Sequence, residues 1–383
     1  MKISLVGPSY PYRGGISQYN TFLYRALKEK HDVQFIGFKR QYPQFLYPSK
    51  SDKEYNEKLK EPEIIYSLDS VNPLSWFKTV KLIRRFDPDV LIFPWWVIFF
   101  APCFWTVAAL SKYRKKTKVL FICHNVIEHE TNRIKKLISK HVFKIADYFV
   151  VHSNEDRKNL LHMLPLAKVI KSFLPSYENL IIIREIERES IKSELKIKQN
   201  KILLFFGFIR PYKGLKYLIQ AMKLIVKQDR DVHLLIVGEC IGEDNDKYLK
   251  MINDLELGDH VTFINKYVPT EELGLYFMVS NIVVLPYVSA TQSGVIQLAY
   301  GFNKPVIVTN VGGLSEAVIN HRTGYVIESC NSEEIARAVK DFFDKRREES
   351  MVKEVSLFKK HFSWETLRNQ IERMVEPIRG DDY

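Results

Sequence analysis

Two short apolar runs, Asn281-Ile-Val-Val-Leu285 and Pro305-Val-Ile-Val-Thr309, flank a polar loop and a helical pattern, and this arrangement constrains the fold of the 383-residue chain more than any other feature. Each run has the length and β-branched content of a strand buried on both faces. Pro286 ends the first run, Ser289-Ala-Thr-Gln-Ser-Gly294 forms the loop, Val295–Tyr300 turns helical, and Gly312-Gly313 breaks the chain after the second run. Two such strands joined through a helix are parallel and make a βαβ unit. Free backbone N–H groups and the helix dipole converge on the loop. The stretch Leu285–Glu316 therefore reads either as an anion site or as a plain crossover with a polar turn.

The same alternation recurs along the chain. Lys2–Val6 reads as a first strand, and a loop ending in Gly14-Gly15 leads into a helix from Ser17 to Lys30. Further strands are expected at 31–36, 90–93, 119–123 and 148–152, then at 201–206, 233–237, 261–264 and 324–327. Amphipathic helices are expected at 75–86, 101–112, 215–227 and 332–345, and a last one begins at Phe362-Ser-Trp-Glu365. Residues 41–72 are polar and rich in Lys, Tyr and Pro, and carry no clear pattern. A composition shift at Leu174-Pro175 and the charged run Arg184–Lys198 marks a linker. Chain length suits two domains. The expected division is residues 1–180, residues 181–361, and a terminal helix in 362–383 that returns to the first domain. The fold class is α/β with doubly wound parallel sheets.

Fifty-seven Lys and Arg against 45 Asp and Glu leave a net charge of +12, which favours an anionic partner such as a nucleotide or an acidic membrane surface. Nucleic acid is not expected, because no aromatic–basic module accompanies the charge. Cys103, Cys123, Cys240 and Cys330 lack CxxC or metal-ligand spacing. They read as reduced and mostly buried, in keeping with a cytoplasmic location. The N-terminal MKISLVGPSYPYRGG has the wrong shape for a signal peptide. Val90–Leu110 is free of charge and long enough to span a bilayer, but Pro94 and Pro102 divide it. A strand over 90–93, a loop and a buried helix over 101–112 account for it at least as well as a span does, with no contact or peripheral contact at the inner membrane face favoured over a true span. Helix 131–145 exposes Arg133, Lys135, Lys136 and Lys140, either as a solvated face or as a surface for a membrane or partner. Glu128-His129-Glu130 lacks a second histidine one turn on, so no metal is expected there.

Chemistry-bearing residues cluster at the carboxyl ends of the strands, where open parallel sheets bind ligands. His124 directly follows strand 119–123. Arg210 and Lys213 lie in the glycine-bounded loop Gly207-Phe-Ile-Arg-Pro-Tyr-Lys-Gly214, where two cations and open N–H groups suit a diphosphate. The loop is not a P-loop, since no Gly-Lys-Ser/Thr follows four variable residues. Gly238-Glu239 makes a comparable turn after strand 233–237.

Taken in order, the Gly-Gly loop after the first strand, the strand ending in His124-Asn125, the Gly207–Gly214 loop, Gly238-Glu239, the βαβ unit with Val311-Gly312-Gly313 and the terminal Phe-Ser-Trp-Glu helix carry a resemblance. The chain resembles the retaining GT-B glycosyltransferases of family 4 over nearly its whole length. That resemblance implies two Rossmann-like doubly wound domains facing a cleft, with a nucleoside diphosphate sugar as donor and no metal or other cofactor. It implies Arg210 and Lys213 at the leaving diphosphate, Gly14 and Gly15 beside the same phosphates, and His124 over the sugar. Gly207, Gly238 and Glu239 would shape the donor pocket, and Tyr267 and Val268 would meet the base. The usual pair of glutamates eight residues apart is replaced here by Ser289 and Gln297, and the usual arginine after the glycine by Phe208. Gln297 keeps a hydrogen bond to a ribose hydroxyl, without charge. Gln292-Ser293-Gly294 would take over the sugar and phosphate contacts, with Ser289, Thr291 and Val295 also counted as donor-binding. The implied activity moves a hexose to a glycan or lipid-linked acceptor in surface polysaccharide synthesis. A sugar-nucleotide epimerase or hydrolase of the same fold, and a non-catalytic nucleotide-sugar-binding subunit, are the alternatives.

Overall fold

A computed structural model describes residues 1–43, 53, 59–114, 116–127, 132–177, 187–241 and 245–375. Glu128-His129-Glu130, much of the 41–72 stretch and residues 178–186 of the expected linker lie outside the described residues. The chain divides into two compact units, Met1–Phe173 with Trp364–Tyr383, and Leu174–Ser363.

In the first unit, strands β1 (Lys2–Val6), β2 (Asp32–Arg40), β3 (Ile65–Asp69), β4 (Val90–Trp95), β5 (Lys118–Cys123), β6 (Tyr148–Val151) and β7 (Val169–Lys171) form one sheet in the order β3-β2-β1-β4-β5-β6-β7. Every pairing is parallel, and β4 is buried from end to end, as strands covered on both faces must be. Connecting helices are α1 (Gly15–Lys28), α2 (Pro73–Phe86), α3 (Ala101–Lys112), α4 (Arg133–Phe143) and α5 (Asn154–Met163). Several start on side-chain caps: the Asn72, Asn132 and Ser153 side chains accept the N–H groups of Leu74, Lys135 and Asp156. Each such cap contributes about 1 kcal/mol.

The second unit repeats the plan. Its helices are α6 (Arg188–Glu194), α7 (Leu215–Gln228), α8 (Asn245–Asp254), α9 (Leu273–Val279), α10 (Gly294–Gly301), α11 (Ser332–Asp344) and α12 (Glu348–Phe358). Its strands are β8 (Lys201–Phe206), β9 (Val232–Val237), β10 (Val261–Ile264), β11 (Ile282–Leu285), β12 (Val306–Thr309) and β13 (Gly324–Ile327), in the order β10-β9-β8-β11-β12-β13, all parallel. That order is the Rossmann arrangement. The final helix α13 (Trp364–Val375) belongs to the first unit and packs on α1. There the buried Arg368 guanidinium donates to the Ala26 carbonyl and pairs with Glu29.

Three details differ from the sequence reading, and the buried helix in the apolar stretch Val90–Leu110 agrees with it. Strand β4 runs through Pro94 to Trp95 because its pairing with β1 ends at Leu5↔Ile92, so the missing proline N–H breaks no bond on that side. Among the described residues no helix is long and apolar enough to cross a membrane; α3 buries Cys103, Phe104 and Val107 in the core of the unit. The later half of the expected linker is folded: α6 packs on α9, and Arg188 donates to the Val279 and Asn200 carbonyls and to Asn281 Oδ1. The Arg188 charge is thus met by backbone and amide oxygens, which composition does not reveal. Cys103 and Cys123 are buried, but Cys240 is half-buried and Cys330 exposed.

Candidate functional site

Each sheet reverses its strand order beside its own first strand, between β8 and β11 in the second unit and between β1 and β4 in the first. Loops leaving the carboxyl ends of those strands diverge to opposite faces and open a crevice for a ligand. In the second unit the two loops are Gly207–Gly214 and Pro286–Ser293, and they are tied together: the Val288 N–H donates to the Tyr212 carbonyl at 2.7 Å.

Lys213 is the centre of this arrangement. Pro211–Lys213 forms a single helical turn, closed by the Lys213 N–H on the Arg210 carbonyl at 3.0 Å. Gly214 ends the turn at φ 68°, and a Cβ there would lie 1.9 Å from the Pro286 carbonyl oxygen, so only glycine fits. The turn carries the Lys213 side chain inward, where it is 8% exposed. Its ammonium lies 3.0 Å from the position a Cβ on Gly207 would take, with Val295 Cγ2 at 3.5 Å from the same point. Tyr287 offers its ring at 5.5 Å, and among the described residues no carboxylate pairs with the amine. Burial lowers its pKa from 10.5 to about 8, against the Tyr212 hydroxyl and with help from the nearby Arg210 cation. Arg210 itself is exposed. A buried cation without a counter-ion is costly, and an anionic ligand removes that cost.

The remaining residues of the second unit frame this amine. Gly238 packs edge-on against β8's end, where a Cβ would come within 2.0 Å of the Gly207 carbonyl oxygen. The Glu239 carbonyl accepts the Ile209 N–H at 2.9 Å, holding the two glycine turns together. Tyr267 faces the ring of Phe208 at 6.2 Å, and Val268 is buried. Across the crevice, Ser293 caps α10, its Oγ accepting the Val295 N–H at 3.3 Å and lying 3.3 Å from the Tyr287 hydroxyl. Gly294 and Val295 form the first turn of that helix. The Thr291 carbonyl accepts the Gly313 N–H at 2.9 Å, so the glycine pair after β12 braces the loop. Gln297 is 2% exposed, and among the described residues its buried Oε1 has no partner and the buried Nε2 of Gln292 has none either. One amide lacks a donor and the other an acceptor, which fits a ligand bearing both kinds of group. Ser289 is exposed on the loop surface.

The first unit holds the other three sequence-derived residues. Gly14 caps α1 at φ 113°, and open space surrounds the Cβ positions of Gly14 and Gly15. His124 stands at the end of β5, its N–H on the Trp95 carbonyl at 2.7 Å. Its ring meets the edge of Tyr19 at 4.6 Å and lies 5.3 Å from the ring of His152. His152 Nδ1 lies 2.8 Å from the Ser172 carbonyl, so Nδ1 carries the proton and Nε2 the lone pair. Among the described residues the Nε2 atoms of both histidines are buried without partners. Burial lowers His152 to about 4 and, with His152 beside it, pushes His124 well below the ordinary range. Both rings are neutral at physiological pH. A buried carboxylate supports the loop that follows: Asp156 Oδ1 accepts the Val126 N–H at 2.9 Å.

Sequence reasoning missed Tyr287 and His152. Tyr287 sits one residue past Pro286 and was legible only as loop. His152 was legible as the last residue of a strand that in fact ends at Val151. Among the described residues, no group of three His, Cys, Asp or Glu could hold a metal ion.

Known proteins resemble this chain in both sequence and fold. A family model described as Glycosyl transferases group 1 matches residues 187–356, and one described as Glycosyltransferase Family 4 matches residues 13–171. The D-inositol 3-phosphate glycosyltransferase of Pseudarthrobacter chlorophenolicus is 33% identical over 144 residues, which is 37% of this chain and 34% of that protein. The match thus spans about a third of that relative's length. An uncharacterized glycosyltransferase of Haemophilus influenzae is 25% identical over 328 residues, 85% of this chain and 86% of its own. The structure of Anabaena Alr3699/HepE in complex with UDP-glucose superposes with a TM-score of 0.76 at 17% identity, covering 98% of this chain and 99% of that one. That likeness is one of fold, and the two doubly wound units are those of the GT-B architecture.

Proposed function

Because this chain belongs to the glycosyltransferases of group 1 and family 4, we propose that it moves a hexose from a nucleoside diphosphate sugar to a glycan or lipid-linked acceptor in surface polysaccharide synthesis, with retention at the anomeric carbon. One observation carries the proposal: Lys213 is a buried cation without a carboxylate, held by glycine turns at the switch point of a Rossmann sheet. The diphosphate lies with its terminal oxygens toward Lys213 and the exposed Arg210, and with the N–H groups of the first turn of α10 within reach. Gln297 and Gln292 meet ribose and sugar hydroxyls. UDP-glucose is named for the Anabaena structure, so UDP-hexoses are the first donors to test.

In the reaction the bond between the anomeric carbon and the diphosphate oxygen breaks, and its electron pair stays on the diphosphate. Charge grows on that oxygen as the bond lengthens, so Lys213 and Arg210 bind the transition state more tightly than the substrate. The acceptor oxygen attacks on the face the diphosphate leaves, and a departing phosphate oxygen takes the hydroxyl proton. No protein nucleophile and no metal takes part. His124, neutral and with its ring Nε2 unpartnered among the described residues, is suited to a hydrogen bond with a sugar hydroxyl.

The test is a product assay with UDP-hexose, with and without acceptor, in the presence of EDTA. Nucleotide release that requires acceptor, with the donor's anomeric configuration kept in the product by NMR, is the expected result. Release without acceptor means hydrolysis, an epimerised sugar nucleotide means epimerase chemistry, and either outcome displaces this reading.

A further inference from the structure

Helix α4 (Arg133–Phe143) carries three stripes rather than the two of an ordinary surface helix. Ser139, Val142 and Phe143 face the core. On a second face Ile134 and Leu137 are each 66% exposed and Ile138 is 42% exposed, at helical spacing. The patch extends to the neighbouring helix α3, where Trp105, itself 38% exposed, packs on the ring of His141 at 5.4 Å. Beside the apolar stripe runs a third one, made of Arg133, Lys136, Lys140 and Lys144, all exposed. The helix contains no acid, and among the described residues none of these four cations has a carboxylate partner. The next acid in the chain, Asp147, is already engaged by Lys112 at 2.7 Å. The stripe ends at Lys144, which lines a shallow cavity of about 400 Å³ together with Lys118 and Lys168, beside an almost fully exposed Leu166.

A solvated helix face would place polar residues where Ile134 and Leu137 stand. Isolated exposed apolar residues need no explanation, but aliphatic and indole side chains grouped beside unpaired cations do. The aliphatic side chains stand on the exposed face of the helix. That combination matches an interfacial helix, with aliphatic groups and Trp entering the acyl boundary while Lys and Arg meet anionic headgroups. We propose that α4, with Trp105, docks the protein on an anionic lipid bilayer. The inference deepens the functional reading, since a lipid-linked acceptor is held at such a surface.

Sedimentation of the full chain with vesicles tests this, and it needs neither nucleotide nor turnover, so its failure leaves the donor site untouched. The protein is expected to sediment with phosphatidylglycerol–phosphatidylcholine vesicles, to remain in solution with phosphatidylcholine alone, and to be released by high salt. Lys136→Ser with Lys140→Ser is expected to weaken binding about thirtyfold, since each cation near an anionic bilayer contributes about 1 kcal/mol. Ile134→Ser with Leu137→Ser is expected to weaken it at least tenfold. Both pairs are exposed, so melting temperature and turnover on a water-soluble acceptor should be unchanged. Absence of vesicle binding overturns the proposal. So does binding that the apolar pair leaves intact, because it would mark a general polyanion patch rather than a membrane-docking face.

Discussion

Replacing Lys213 by Met keeps an unbranched apolar side chain one atom shorter and removes the ammonium, and the structure sets opposite signs for two consequences. In the folded protein the amine's pKa falls from 10.5 to about 8, chiefly through burial. That depression corresponds to about 3 kcal/mol against the charged form at neutral pH. The unfolded chain holds its proton up to its ordinary value while the folded one releases it near 8, so stability rises with pH between about 8 and 10.5, and the cost is present in full below that window. Met abolishes it, so the unligated variant should melt several degrees higher than the wild type. Turnover should move the other way. A unit charge about 4 Å from a phosphoryl oxygen interacts by about 4 kcal/mol at an effective dielectric near 20. Removing a donor of this kind from a developing anion lowers kcat roughly a hundredfold to a thousandfold. The assays are nucleotide release with saturating acceptor and thermal melting without ligand. The wild type's kcat/KM should also decline above about pH 8, where the free amine loses its charge. Turnover within a few-fold of wild type would refute the electrostatic role. A melting temperature that falls along with activity would make Lys213 a structural residue instead.

Other predictions follow from the same geometry. Gly214→Ala would place a Cβ 1.9 Å from the Pro286 carbonyl oxygen at a φ of +68°, and should cost at least about 2 kcal/mol in urea unfolding. Gln297→Leu should weaken nucleoside diphosphate binding about tenfold in calorimetry while leaving the melting temperature level or higher, because the orphaned Oε1 is removed from the unligated state. His152 is neutral when folded, with its pKa at about 4 against an ordinary 6.5, so the unfolded chain binds the extra proton first. Stability present above about pH 6.5 should therefore drain away as pH falls toward 4, and His152→Gln, which keeps a donor for Ser172, should flatten that acid limb in pH-dependent melts.

Much of the fold was legible because it rests on runs of apolar residues broken by glycine. β8, β9 and β11 read as strands since both their faces are covered, and period needs no contrast there. The sequence was silent on β3, which lies within the polar stretch 41–72, and on β7, a three-residue edge strand. α6 read as linker because Arg188 and Lys192 look like solvent charges, yet Arg188 donates to backbone carbonyls and Lys192 to Asn200. Within the site, Gly207, Gly214 and Lys213 stood out through spacing. The inward turn of Lys213 did not, since it depends on the Pro286 carbonyl lying against Gly214, a contact between residues distant in sequence. His152 stayed hidden for a similar reason: its proximity to His124 comes from β5 and β6 pairing in register. The Ser289 and Gln297 positions were legible as departures from the usual glutamates, but only the structure separates them, one exposed and the other buried with an unsatisfied oxygen.

The central claim is that the crevice between β8 and β11 binds a nucleoside diphosphate through the Lys213 ammonium. Its most direct test is a calorimetric titration of the purified chain with UDP, GDP and ADP, repeated on Lys213→Met. One of the three should bind at a single site in the wild type, and at least tenfold more weakly in the variant. No binding of any of them, or binding that Lys213→Met leaves unchanged, would contradict the account.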